Sequence, residues 1–473
     1  MRGHRLRTLL LVGATAGLAC AVAATAGSAR AVARVRASKR LNVVVILSDD
    51  ERLDGSKVMK DVSRLLAGHG ITFTDYHVTT SECGPSRASI LTGQYSHHTG
   101  VLDNFGRHSY PAFDKQSNLA VWLHRKGYQT ALVGKYLNDY TKYGHNEIPP
   151  GWDDWQVMDS VPMEEYYNYS INDNGRLEHY GDAPQDYSTT VLTKKAVDFI
   201  HRARKPFFLY FAPIAPHLPA IPAKQDQGKL ENIAPLNTPS VNEADIGDKP
   251  WRAWHRDLLK AAADLYHDHV RVRQLESLLS LDRSVKQVVS ALRGRHELNN
   301  TVIVYTSDNG FLWGEHRLGG KIWPYEESTH VPLVVRTPWT HGRSFDRKAV
   351  LNIDLAPTIS ALAGVKPPAK MDGRSFVPLL HGERVPWRKS FLVEYLGRNL
   401  LPVGGPPPYV AVHTDRYLYI EYRNGWRELY DLRHDPWELD NVADAKSYAS
   451  VRAELHTLLH RLYDAPATHS SAA

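Results

Sequence analysis

Cysteine is nearly missing from this sequence: among 473 residues there are two, Cys20 and Cys83. Cys20 falls inside an N-terminal stretch built like a secretory signal. Cys83 is therefore left without a disulfide partner in its own mature chain. Long apolar runs are missing too, apart from that N-terminal stretch. There "MRGHRLR" is basic and "TLLLVGATAGLACAVAATAG" is apolar. Ala31-Val32-Ala33 fits a small-x-small cleavage pattern, with Ala29-Arg30-Ala31 as a competing site. The run is long enough for a membrane anchor, although its Gly and Ala content makes a weak one. Leu18 stands one place too close to Cys20 for a lipoprotein site. The expectation is a signal peptide at residues 1–33 and a secreted chain. No stable membrane span is expected after cleavage. A strong charge imbalance is the third absence. The formal net charge is +6, and Arg2, Arg5, Arg7 and Arg30 account for four of those charges. The mature chain is close to neutral, so no nucleic-acid partner is indicated. There is no internal repeat.

What the sequence does hold is aromatic residues and alternating apolar segments. Eleven Trp and 24 Tyr suit a large core and equally a carbohydrate-facing surface. The roughly 440 residues left after cleavage exceed one small domain, so a large domain with a smaller companion is expected. "LNVVVILSDD" is a continuous β-branched run, suited to a strand buried on both faces. "VSRLLAGHG" reads as a short helix and "ITFTDYHV" as a second strand. "NLAVWLHRKGYQTALVGKY" reads as a helix, a glycine stop and a strand. "TTVLTKKAVDFIHRAR" is amphipathic, and "KPFFLYFAPIAPH" is an apolar strand running into a Pro-rich loop. Leu275, Leu278, Leu279, Val285, Val288, Val289 and Leu292 recur at helical spacing before the strand "NTVIVYTSDNG". Such alternation predicts an α/β fold over residues 40–375, a large mixed, mostly parallel sheet sandwiched by helices. Over residues 376–465, "SFLVEYL", "PYVAVHTDRYLYIEY" and "WRELYDL" read as antiparallel strands, and "SVRAELHTLLHRLYD" as a closing helix. That is a smaller C-terminal α+β subdomain. Asp154 to Asp186 and Lys224 to Lys249 read as loops.

Two predicted strands end in oxygen donors. Asp49 and Asp50 close the first, and Asp308 and Asn309 close another far along the chain. In open α/β sheets, sites form outside the carboxyl ends of strands. Either pair alone is as well explained by loop or helix capping. Repeated, the arrangement points to one hard cation. Three carboxylates and an amide suit Ca²⁺ or Mg²⁺ better than Zn²⁺.

Cys83 opens "CGPSRASILTG", where Pro85 suits the first turn of a helix and Arg87 follows one turn on. A helix N-terminus favours a bound anion. This Cys-x-Pro-Ser-Arg stretch with "ASILTG" resembles the signature of the formylglycine-dependent sulfatases. The resemblance runs on through "NVVVILSDD", "GYQTALVGKYLNDY", "APIAPHLP", "SDNGFLWGEHRLGGKIWPYEES" and "ELYDLRHDPWELDNVA". Within the family, "GKYLN" and "APHLP" look most like the N-acetylglucosamine-6-sulfatase branch.

The resemblance implies the alkaline-phosphatase-like sulfatase fold. It implies that a formylglycine-generating enzyme converts Cys83 to formylglycine, whose hydrate attacks a sulfate ester. It implies metal ligands at Asp49, Asp50, Cys83, Asp308 and Asn309, with Ca²⁺ expected ahead of Mg²⁺. Arg87, Lys135 and Lys321 match the family's catalytic cations, and His217 its general acid. Many relatives carry a His two places after the first lysine; here Gly134-Lys135-Tyr136-Leu137-Asn138 does not. Asn138 is the candidate replacement, and His316 in "GEHRLGGK" a further candidate for substrate contact. His97 and His98 either line the pocket or lie on the surface. The implied substrate is a sulfated sugar, glucosamine 6-O-sulfate or a related hexose. A phosphonate monoester or phosphodiester hydrolase, and an inactive carbohydrate-binding relative, remain the alternatives.

Overall fold

A computed structural model of the protein describes residues 40–144, 147–159, 165–204, 206–251, 269–368, 370–397 and 405–467. The expected signal segment and Cys20 lie outside them. Residues 41–473 group as one unit.

The β-branched run Asn42–Ser48 is a fully buried strand at the centre of a ten-stranded sheet. Across the sheet the strands run Ser344–Asp346, Gly70–Phe73, Leu333–Arg336, Thr301–Ser307, Asn42–Ser48, Phe207–Ala212, Gln129–Gly134, Asp154–Asp159, Tyr169–Asp173 and Arg176–Tyr180. The stretch from Thr301–Ser307 to Asp154–Asp159 is parallel throughout. Leu333–Arg336 is antiparallel to both its neighbours, and so is Tyr169–Asp173.

Side chains alternate across a strand, and here each face has its own core. Val43, Val45 and Leu47 join one cluster, with the helices Leu119–Arg125 and Leu355–Leu362 packed on it. Val44 and Ile46 join the other, beneath the helices Ser188–Arg202 and Arg271–Gly294. The expected three-layer α/β architecture is therefore present. The C-terminal part has a four-stranded antiparallel sheet, Ser390–Tyr395, Tyr409–Thr414, Tyr417–Tyr422 and Arg427–Asp431. Phe391, Val393 and Tyr395 face one cluster, while Leu392 faces another that Leu455 and Leu459 of the helix Ala449–Tyr463 complete.

Two sequence expectations change. "ITFTDYHV" is two strands, Gly70–Phe73 in the large sheet and Tyr76–His77 paired with Val350–Leu351. Part of the Asp154 to Asp186 stretch is not loop but the three strands at one end of the large sheet. Its Tyr169 stacks on Tyr180, with ring centroids 5.3 Å apart, so this ring packs within the segment.

Candidate active site

Four adjacent parallel strands deliver side chains to one edge of the sheet. Asn42–Ser48 ends in Asp49 and Asp50, and Thr301–Ser307 in Asp308 and Asn309. Gln129–Gly134 ends in Lys135, and Phe207–Ala212 runs into the loop that carries His217. The first two strands pair with Ser48 opposite Ser307, so the two acidic pairs arrive side by side. The Asp50 N–H donates to Asp308 Oδ1 at 3.1 Å. Glycine is required at position 134, where φ is +119° and a Cβ would lie 2.1 Å from the Ala212 carbonyl oxygen. That close approach brings the Lys135 N–H to the same carbonyl at 2.7 Å.

Cys83 is the first residue of a fully buried helix, Cys83–Thr92, closed by Gly93 in the left-handed region at φ +75°. Its side chain thus stands at the positive end of the helix dipole. Sγ lies 3.4 Å from Asp49 Oδ1, 3.8 Å from Asp50 Oδ1 and 2.7 Å from Lys321 Nζ. Lys321 Nζ also donates to Asp50 Oδ1 at 2.5 Å, and Lys135 Nζ to Asp49 Oδ2 at 2.7 Å. Arg87, with no exposed surface, donates from Nε to Asp308 Oδ2 at 2.8 Å and from Nη1 to the Lys135 carbonyl at 2.9 Å. Its Nη2 lies 3.5 Å from Asp49 Oδ2. His217 donates from Nδ1 to the Leu218 carbonyl at 2.6 Å, which leaves Nε2 turned to Asp50 Oδ2 at 3.7 Å.

The charges decide how these groups titrate. Burial pushes the Asp49 carboxyl up, but Lys135, His217, Arg87 and Lys321 together hold it well below the usual range. Burial, and then the neighbouring Asp49, push Asp308 up to about 6. Burial would depress Lys321; Asp50, Cys83 and Asp49 outweigh it and raise the ammonium well above its ordinary value. Burial and Asp49 push the Cys83 thiol well up.

Asn309 Oδ1 is buried and has no hydrogen-bond partner among the described residues, while Nδ2 donates to Asp50 Oδ1 at 2.7 Å. Donor atoms of Asp49, Asp50, Cys83 and His217 all lie within 4.8 Å of one another. Buried carboxylates beside an orphaned amide oxygen form a hard donor set, which fits a divalent cation of the Ca²⁺ or Mg²⁺ class.

Asn138 lies against the start of the Cys83 helix; its Cβ would be 3.6 Å from a Cβ at Gly84. Its Oδ1 is buried without a hydrogen-bond partner among the described residues. His316 is placed differently from the substrate contact expected of it. It has no exposed surface, its Nδ1 lies 2.7 Å from Glu243 Oε2, and its ring packs on Tyr325. Several supporting residues had no signal in the sequence. Asn104 Oδ1 accepts the Gly84 N–H at 2.7 Å, and the Asn104 N–H reaches Glu82 Oε1 at 3.1 Å. Ser86 donates to the Asp308 carbonyl at 2.5 Å and accepts from Asn352 at 3.0 Å.

A profile of the sulfatase family matches residues 41–365, and a second profile, N-sulphoglucosamine sulphohydrolase, C-terminal, matches residues 314–465. The chain belongs to the sulfatase family. It is 34% identical over 452 residues to N-acetylglucosamine-6-sulfatase of Homo sapiens, covering 86% of this chain and 81% of that protein. It is 36% identical over 377 residues to the extracellular sulfatase SULF-1 homolog of Drosophila melanogaster, covering 76% of this chain. There the chain spans only 33% of the relative's length. The solved structure of BT4656 with its substrate D-glucosamine-2-N,6-O-disulfate superposes with a TM-score of 0.77 at 25% identity, covering 89% of this chain and 97% of that one. The phosphonate monoester hydrolase of Agrobacterium radiobacter shares the fold at a TM-score of 0.72 and 22% identity, covering 90% and 95%. The sulfatase fold, with its large mixed sheet and small C-terminal antiparallel sheet, is thus the fold of this chain.

His97 and His98 belong to a clasp rather than to this cluster of charges. His97 Nδ1 lies 2.7 Å from Glu394 Oε2 of the C-terminal sheet, and His98 Nδ1 2.9 Å from Asp372 Oδ2. Burial lowers the His97 pKa, but Glu394 overrides it and raises the imidazole above its usual 6.5. A raised folded value stabilises fully below the unfolded pKa and is lost as pH climbs through the folded one. The melting temperature should therefore fall across that climb in the native chain. His97→Gln should flatten that part of the profile, and scanning calorimetry at half-unit pH steps checks it.

Proposed function

We propose that the chain is an exported sulfuric ester hydrolase. It cleaves the sulfate monoester of a sugar, glucosamine 6-O-sulfate or a related hexose, and uses Cys83 matured to formylglycine. The observation that carries this reading is the position of Cys83. It opens a helix, is flanked by Lys321 Nζ at 2.7 Å and faces Asp49 Oδ1 at 3.4 Å. The buried thiol marks where the two hydroxyls of the hydrated aldehyde would stand. The sugar reading draws on the names of the human relative and of the solved complex. Export draws on the signal-like residues 1–33 and the extracellular fly relative.

Asp49, Asp50, Asp308, Asn309 and residue 83 would hold the cation, Ca²⁺ ahead of Mg²⁺. Bound there, it supplies Lewis-acid stabilisation of developing negative charge. Lys135 and Lys321 are the fixed cations for the sulfate oxygens. Arg87 would keep Asp308 and Asp49 in place through its contacts to both. One diol hydroxyl would pass its proton to Asp49 Oδ1, which faces residue 83, and attack sulfur to give a covalent sulfate ester on the enzyme as the bond from sulfur to the sugar oxygen breaks. The sugar oxygen leaves with a proton from Nε2 of His217 in its imidazolium form, whose Nδ1–H stays on the Leu218 carbonyl. The second hydroxyl then returns a proton to His217 Nε2, sulfate departs and the aldehyde re-forms. Asn138, beside the helix start, would bond the diol. His316 sits behind, where it fixes Glu243.

Two measurements test the reading. The tryptic peptide bearing residue 83 should weigh about 18 Da less than the cysteine form. Turnover should be fastest on sulfated glucosamine in a panel that also holds aryl sulfate, aryl phosphodiester and phosphonate monoester. A phosphonate or phosphodiester preference would transfer the site to the alternative activity. Lys321→Met should lower kcat by about 10²–10³-fold, because its ammonium faces the developing charge. Steady-state kinetics on the best substrate of the panel measures that loss.

A further inference from the structure

A second cluster of ligating side chains lies where the large sheet region meets the C-terminal sheet. His77 ends the short strand Tyr76–His77, whose chain then runs on to Cys83. Glu326 and His330 are one turn apart, at the start and just beyond the end of the helix Glu326–Thr329, and His77 bridges to His330. Donor atoms of His77, Glu326 and His330 lie within 4.8 Å of one another. A third imidazole, His413 of the C-terminal sheet, stands just outside that set, with Nε2 at 2.8 Å from Glu326 Oε1, and would complete it by a small side-chain shift. The His77 ring stands 4.5 Å from that of His330 and 5.0 Å from that of His413.

The outer nitrogens of two rings are already held. His77 Nε2 lies 3.0 Å from Asp75 Oδ1, and His330 Nε2 lies 3.1 Å from the Thr74 carbonyl oxygen. A carbonyl only accepts, so His330 Nε2 carries a proton, and Asp75 as a carboxylate assigns one to His77 Nε2. This is the arrangement in which a carboxylate or carbonyl orients a metal-bound histidine and leaves Nδ1 as the donor. His77 Nδ1 is buried and has no hydrogen-bond partner among the described residues. His330 Nδ1 lies 3.0 Å from Glu326 Oε2, so a lone pair there would face a carboxylate oxygen. While Glu326 is ionised, a second proton on His330 or a cation between the groups relieves that pairing.

We propose that His77, His330, His413 and Glu326 form a second metal site, specific for a borderline divalent cation such as Zn²⁺. Three imidazoles and one carboxylate suit zinc-class ions, whereas the oxygen-rich site at Asp49 and Asp50 suits Ca²⁺. The site fastens the strand that precedes Cys83 to the helix after Lys321 and to the C-terminal sheet, so its role is structural.

The probe is Co²⁺, added to full-length mature protein that has been stripped with a chelator and returned to Ca²⁺. His456 and His460, which share Glu421 on the exposed face of the closing helix, would take up the same ion. The experiment therefore uses a His456→Ala, His460→Ala background. About one equivalent of Co²⁺ should produce the intense visible d–d bands of a four-coordinate nitrogen and oxygen site. Co²⁺ in an oxygen-rich six-coordinate site absorbs far more weakly, and this separates the two sites. Zn²⁺ should bleach the bands and, at a hundredfold excess over its Kd, raise the melting temperature by about 3 °C. His330→Gln and His413→Gln should each weaken Co²⁺ binding at least about tenfold and keep native circular dichroism. No intense band at saturating Co²⁺, or a band unchanged in both variants, overturns the proposal and leaves an imidazolium–carboxylate clasp.

Discussion

Cys83→Ala should lower turnover by at least about 10⁴-fold, while Cys83→Ser should react once and stop. On the proposed mechanism, the alanine variant removes the attacking group at the helix start. Its surroundings should hold, because Lys321 still pairs with Asp50, and Arg87 with Asp308. The serine variant is the sharper test. Its single hydroxyl stands where the thiol now stands, beside Lys321 and Asp49. It can accept sulfate from the substrate, but it has no second hydroxyl to expel it. Intact-protein mass spectrometry after incubation with substrate should therefore show a stable gain of about 80 Da, at no more than one per chain. Steady multiple turnover by Cys83→Ser would remove the reason for an aldehyde at this position. On the proposed maturation of residue 83, the native chain should show no such accumulation.

The layout of this site was largely legible in the sequence, for a physical reason. A strand buried on both faces must be apolar along its whole length, so Asn42–Ser48 and Thr301–Ser307 stand out as runs. Polar residues that end such runs must leave the sheet at its carboxyl edge. Asp49, Asp50, Asp308, Lys135 and the loop to His217 could all be placed there before any register was known. Register supplied the rest, since Ser48 opposite Ser307 is what brings the carboxylates together.

The misreadings have physical causes as well. Arg176–Tyr180 is an edge strand with no buried residue and with Leu177 itself exposed, so no apolar alternation marks it. Thr74 and Asp75 interrupt "ITFTDYHV" and pass the chain from one sheet to another, which composition does not reveal. Asn104 and Asn352 reach the Cys83 helix only through long-range folding. His316 stands in a Gly- and charge-rich stretch that reads as exposed, yet Glu243, far back in the chain, supplies a buried partner. The histidines at 77, 330 and 413 are scattered over more than three hundred positions, and no spacing rule joins them.

Asp50→Asn should weaken Ca²⁺ binding at least about 10²-fold and leave the fold intact. Asp50 sits at φ +71°, a conformation that asparagine also adopts with little strain. The amide keeps the volume and an oxygen donor, so what is lost is one negative charge in a buried site. Two unit charges about 4 Å apart interact by about 4 kcal/mol at an effective dielectric of about 20, and a divalent cation is the more sensitive partner. Lys321 loses its closest anion too, because its Nζ now donates to Asp50 Oδ1 at 2.5 Å. Activity at low Ca²⁺ should therefore collapse and recover, at least in part, as Ca²⁺ is raised. That recovery separates loss of the ion from loss of structure. Isothermal titration of chelator-treated protein reads the affinity, and kcat at saturating Ca²⁺ reads what the carboxylate contributes beyond it. An unchanged Ca²⁺ affinity in Asp50→Asn would show that the two acidic strand ends do not converge on a cation. Lys135, Lys321, Arg87 and His217 would then be the groups that balance those carboxylates among the described residues.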